Sequence, residues 1–226
     1  MKNYLMLLVS ATALTVFSCN SPNSKNKMAE DDAMGADSSY VSNGKADVSS
    51  WNKSSQMAVD EITKKYGEPN GVTPDELIWI NPGVWKKISI TKTESKHSFP
   101  IEHTDMMETT INYDVPEDKM DELGMFDGSV TFDRTQGTMS ARCDLEANNF
   151  LALNLAHDII TNKKTVAEAR KAYADVIKEK MTGANPEYMA KLTFASQNNA
   201  ADPDKNTTGL NKAEVMAAIE KSTAAK

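Results

Sequence analysis

Beyond the first 18 residues, apolar residues are most concentrated between 138 and 160, and eight of the eleven positions from Phe150 to Ile160 are apolar. At 100° per residue they cover nearly the whole circumference of a helix from Asp144 to about Ile160. That pattern predicts a helix buried on all sides rather than one with a wet face. Thr165-Val-Ala-Glu168 then has the form of a capping box. It predicts a second long helix running to about Met181, before Gly183. Upstream the period shortens. Leu77-Ile78-Trp79-Ile80 reads as a strand, Asn81-Pro82-Gly83 as a turn, and Val84 to Thr93 as the returning arm. Met106 to Val115 reads as a further strand, and Ser129–Asp133 with Thr138–Arg142 as a hairpin around Thr135-Gln136-Gly137. Met57, Val59, Ile62 and Tyr66 mark a short helix stopped by Gly67, and Glu68 to Gly71 reads as a turn. Pro116 opens a short helix over Glu117 to Leu123 closed by Gly124, and Asn185-Pro186-Glu187 starts another with proline at its first position. The sum is an α+β fold: an antiparallel sheet of four to five strands packed by two long C-terminal helices on one face.

The polar stretches set the limits of this core, residues 51–194. Residues 20–50 contain no Leu, Ile, Phe or Trp. Such a segment buries too little apolar surface to offset ordering entropy, so a disordered N-terminal tether over 19–50 is expected. Residues 195–226 are a polar tail in which Lys212 to Lys221 has the composition of a short helix. Residues 1–18 carry one charge, Lys2, followed by the apolar run Leu5 to Phe17, which is too short to span a bilayer and reads as an export signal. It ends in Val16-Phe17-Ser18-Cys19, which resembles a bacterial lipobox. The resemblance implies cleavage before Cys19 and lipidation of that residue. Membrane attachment through the acyl chains would follow, and Asn20 behind the cysteine points to the outer membrane. The alternatives are an ordinary secretory peptide and an uncleaved anchor.

Composition narrows the partners. The 226 residues carry a net charge of -7 with scattered lysines, which argues against nucleic acid and against a basic patch for anionic lipid. There are two cysteines. If lipid consumes Cys19, Cys143 has no partner within the chain.

Three groups of residues are candidates for chemistry. In the apolar helix, Asn148, Asn149 and Asn154 require hydrogen-bond partners, either in a structural network or beside a ligand pocket. Asp144 and Asn148 lie one turn apart and can touch a common group. Glu146 and His157 are roughly 16 Å apart along the helix and cannot share one ion. Cys143 stands where strand meets helix. The helix N-terminus and Arg142 would lower its pKa, Asp144 would raise it, and a buried structural thiol is the competing reading. The third group is His97-Ser-Phe-Pro-Ile-Glu102-His103-Thr-Asp105-Met-Met-Glu108, read as a loop into a strand. Two imidazoles and carboxylates within twelve residues can chelate a divalent metal through His97, His103, Asp105 and Glu108, or make His103 a general base. The catalytic candidates are therefore His103, Asp105 and Cys143. No cofactor beyond such a metal is indicated, and no phosphate loop or nucleophile elbow is found.

Several of these segments together, Tyr66-Gly67-x-Pro69, Leu77-Ile-Trp79 with Trp85-Lys86, Phe99-Pro100-x-x-His103-x-Asp105, Phe126-Asp127-Gly128-Ser129-Val130, Asp133-Arg134-Thr135 and Ser140-Ala-Arg-Cys-Asp to His157-Asp158-Ile159, resemble an uncharacterised family of bacterial proteins over about 51–177. That family has no assigned activity, so the resemblance implies one domain and no mechanism. Tyr-Gly-x-Pro before a tryptophan-bearing strand is also similar to small outer-membrane assembly lipoproteins of the BamE type. The leading expectation is a lipid-anchored envelope module that binds or scaffolds an envelope protein partner. The rival is an envelope metal-binding enzyme or hydrolase using the His103/Asp105 segment.

Overall fold

A computed structural model describes residues 46–197 and 202–224. The signal segment 1–18, Cys19 and most of the expected tether lie outside the described residues. No helix among the described residues is long and apolar enough to cross a membrane.

The domain is α+β, built on one antiparallel sheet of six strands. These are β1 (Gly71–Val72), β2 (Glu76–Ile80), β3 (Lys87–His97), β4 (His103–Asn112), β5 (Val130–Asp133) and β6 (Thr138–Cys143), in spatial order β1-β2-β3-β4-β6-β5. The strand beyond the expected five is β1. Only two residues long and paired to Leu77 and Ile78, it has no periodicity to betray it within the turn-forming stretch Glu68 to Gly71. Alternation places Leu77, Trp79, Ile88, Ile90, Met107, Ile111, Met139 and Ala141 in the core.

Helix α1 (Lys53–Tyr66) and α3 (Glu146–Ile160) both lie on the sheet. Asn52 caps α1 by accepting the Ser55 N–H at 2.7 Å, and the helix buries Ala58, Val59 and Ile62. Met57, expected to face inward, is exposed, because the inward stripe passes through Ser55 instead. Helix α3 is buried on nearly every side, as its apolar run predicts. A fully buried Leu such as Leu151 or Leu155 contributes roughly 1.5–3 kcal/mol through burial.

The second long helix, α4 (Val166–Met181), does not share the sheet with α3. It packs chiefly against α3 and α2 (Met120–Phe126), as an outer layer. Its capping box is present: Glu168 N–H donates to the Thr165 hydroxyl and Thr165 N–H to the Glu168 carboxylate. A single 3₁₀ turn, Glu117–Lys119, precedes α2, which runs on through Gly124 because Leu123 and Phe126 anchor both of its turns in the core. Pro186 stands just before α5 (Glu187–Ala190) rather than at its first position. Helix α6 (Lys212–Ala224) has no buried residue. The contacts extend past residue 194: Gln197 N–H donates to the Asn112 carbonyl, and the Gln197 side chain accepts the Asp114 N–H at 2.6 Å.

The hairpin of β3 and β4 matters most for the site. The segment from Ser95 to Asp105, expected to be a loop, consists mostly of strand. Pairing runs out to His97 opposite His103, leaving only residues 98–102 as the connection. The register shifts between Ile90 and Ser95, where β3 carries extra residues relative to β4.

Candidate metal centre

Strand geometry assembles the site. His103 and Asp105 are two residues apart on β4 and so face the same side, and His97 is the cross-strand partner of His103. His97 Nδ1 lies 3.3 Å from Asp105 Oδ2, and His103 Nε2 lies 3.0 Å from Asp105 Oδ1. The two rings stand 4.9 Å apart. Asp105 is 3% exposed. Ligand atoms of all three residues lie within 4.8 Å of one another, a grouping that could hold a metal ion.

Glu108 is not part of it. It is three residues from Asp105, an odd step, so it projects from the opposite face of the sheet, where it pairs with Lys87 at 3.6 Å. Glu102 is exposed on the connection.

Hydrogen bonding around the three residues shows which atoms are free to coordinate. His103 Nδ1 is 2.8 Å from the Ile101 carbonyl, which can only accept, so Nδ1 carries the proton. Its Nε2 therefore faces Asp105, on the side where a neutral ring would offer a lone pair to an ion. His97 Nε2 lies 3.4 Å from Asp127 Oδ1, and Asp127 is fixed by the Ser129 N–H and hydroxyl at 2.9 and 2.8 Å. Metal-bound histidines characteristically donate their second N–H to a carbonyl or carboxylate in this way. His97 Nδ1 and Asp105 Oδ1 are buried and have no hydrogen-bond partner. Asp105 Oδ1 lies 3.0 Å from His103 Nε2 and His97 Nδ1 3.3 Å from Asp105 Oδ2, so a cation bound between the three side chains would satisfy both atoms. Burial pushes the Asp105 carboxyl pKa up, against the attraction of His97 and His103.

Neighbouring elements close the site on one side. Phe99, in the connection, packs edge-on against Tyr173 of α4 and Phe126 of α2. The Arg170 guanidinium lies 3.8 Å over the Phe99 ring and donates to the Phe126 carbonyl. Solvent still reaches the imidazoles, whose side chains are 18% and 17% exposed.

Cys143 ends β6 on the same face, with Sγ 3.3 Å from His103 Nε2 and 3.3 Å from Asp144 Oδ1. It belongs to the strand rather than to a helix N-terminus, and Arg142 points the other way, opposite Glu108. Burial, and then the Asp144 charge, push its pKa well above that of an ordinary thiol. A thiol held protonated in this way is a poor nucleophile. The sulfur also shares Nε2 of His103 with Asp105, so the three are not in the linear order of a nucleophilic triad.

No protein-family model, curated protein or solved structure matches this chain. Its chemistry therefore rests on its own residues. The site unites His97, His103 and Asp105, with Cys143 against His103, and leaves out Glu108. Asp127 was the residue not singled out as a ligand candidate. Its one local signal is the Asp-Gly-Ser turn, which marks a bend but not the imidazole it faces.

The three asparagines of α3 all hydrogen-bond within the fold. Asn154 donates to the carbonyls of Tyr188 and Lys191 and accepts from Thr193, so every hydrogen-bonding group of its amide is engaged. Asn148 donates to Asp144 at 2.7 Å, so the pair one turn apart meets directly. Asn149 reaches the Met107 carbonyl. His157 stacks on Phe194 and meets the Tyr113 hydroxyl, far along α3 from Glu146.

Proposed function

We propose that this protein is a lipid-anchored envelope protein whose domain binds one divalent transition-metal ion through His97 Nδ1, His103 Nε2 and Asp105. The observation that carries the metal reading is the convergence of His97, His103 and Asp105 ligand atoms within 4.8 Å, with His97 Nδ1 and Asp105 Oδ1 buried without hydrogen bonds and the His103 ring oriented by a carbonyl. Imidazole and carboxylate donors suit zinc-class and other first-row divalent ions better than magnesium or calcium. Anchoring through Cys19 in the outer membrane rests on the lipobox-like segment.

Elemental analysis and zinc titration calorimetry of the purified chain test the metal reading. One ion per chain is expected, with binding lost in His97→Ala and His103→Ala. Variants that bind zinc as tightly as the parent would sink it. Labelling with radioactive palmitate, lost in Cys19→Ala, tests the anchor separately. A partner-binding role has its own support in a cleft on the uncovered face of the sheet, lined by Ile80, Lys86, Glu108, Phe132 and Gln136. Pull-down from the native envelope with Phe132→Asp as the control would decide it.

A further inference from the structure

Three protein donors leave a four-coordinate ion one position short, and a thiol lies against one of the three. Donors bound at about 2.0–2.3 Å in a tetrahedron stand roughly 3.3–3.6 Å apart. Cys143 Sγ lies 3.3 Å from His103 Nε2, one such edge, although it sits outside the group of three. The sulfur is held toward Asp144. Asp144 also accepts from Asn148 Nδ2 at 2.7 Å, so its carboxylate keeps a partner if the sulfur turns away. Cys143 and Met107 are register partners on adjacent strands, which puts the sulfur on the face of the sheet that carries Asp105.

Charge points the same way. Two neutral imidazoles with the Asp105 carboxylate leave a dication with one uncompensated positive charge in a largely buried place. A thiolate would make the ion and its direct ligands neutral, and buried charge is tolerated only when paired.

Resting on the metal reading above, we propose that Cys143 is the fourth ligand. The ion is then enclosed by two nitrogens, one oxygen and one sulfur, and the site selects thiophilic zinc-class ions. On binding, the Cys143 S–H bond breaks, the proton leaves to solvent, and the sulfur pair forms the metal–sulfur bond, with no change of oxidation state. Such a closed site retains its ion and holds the end of β6 against the β3–β4 hairpin, with no position left for a metal-bound water.

Cobalt(II) titration of the full chain, followed by absorption spectroscopy, tests this. A thiolate-to-cobalt charge-transfer band in the near ultraviolet is expected, lost in Cys143→Ser, with zinc affinity of that variant falling by roughly 10–100-fold. Cobalt bound without that band would overturn the proposal and leave the three-residue site standing. No binding of cobalt or zinc at all would overturn both. The band is read on the parent chain, so a variant that fails to fold does not obscure the answer, and Cys143→Ala serves as a second variant.

Discussion

Two aspartates buried equally deeply near opposite ends of α3 are treated in opposite ways. Asp158, 1% exposed near the helix C-terminus, receives the Lys164 ammonium at 2.6 Å and the Tyr188 hydroxyl at 2.8 Å on one oxygen, with Lys163 at 3.8 Å from the other. Burial pushes its pKa up, but the donation from Lys164 and Tyr188 outweighs that and holds it below the usual range. Asp105, 3% exposed on β4, faces two imidazoles and its pKa is raised; each of the two aspartates has one oxygen, Oδ1, without a hydrogen bond. The same chemical group is paired with lysine ammonium groups in one place and with imidazoles in the other. Permanent cations beside Asp158 mark a structural knot, whereas oriented imidazoles around Asp105 suit a place prepared for a ligand.

Asp158→Ala gives the largest expected effect, a loss of about 3 kcal/mol in urea unfolding, because it leaves Lys164 and Tyr188 without their acceptor. Asp105→Ala in the presence of a chelator should cost far less, since this carboxylate pairs with imidazoles and with no lysine ammonium. Equal losses in the two variants would break the comparison. Next comes the ligand effect: zinc at 100 times its Kd should raise stability by about 2.7 kcal/mol in the parent and not in Asp105→Ala, as read by thermal unfolding. Asn154→Ala should cost about 2 kcal/mol whether or not zinc is present, because it strips donors and acceptors from the α3–α5 junction. The smallest effect is with pH. The folded pKa of Asp158 is depressed, so its contribution is present above the unfolded pKa and fades as pH falls through the folded value. The acid limb of stability against pH should therefore be flatter in Asp158→Asn than in the parent.

Periodicity made part of this legible beforehand. Phe150 to Ile160 announced a buried helix, Thr165 and Glu168 announced the cap of α4, and the apolar arms announced most of the strands. The ends of β3 and β4 were not legible, because Thr93-Glu-Ser-Lys-His97 is polar throughout and takes its strand conformation from pairing with the returning arm. Hence His97, His103 and Asp105 could be grouped as candidates, but which carboxylates shared their face could not be read while the segment was taken for a loop. Once the strand is seen, parity excludes Glu108 at once. Asp127 comes from 22 residues further along the chain than Asp105 and meets His97 only through the packing of α2, which no local pattern encodes. The place of α4 as an outer layer was hidden for a similar reason: an apolar stripe says that a helix packs, not against what.

The shortness of β1 bears on how the molecule behaves in a crowd. A sheet whose outer strand is long and flat offers a row of free amides and carbonyls to any passing chain. Here one rim consists of two residues, Gly71 and Val72, and the other of the four residues of β5. An incoming strand would find few consecutive groups to zip onto, so sheets on neighbouring copies have little means of joining into a fibril even when packed closely together.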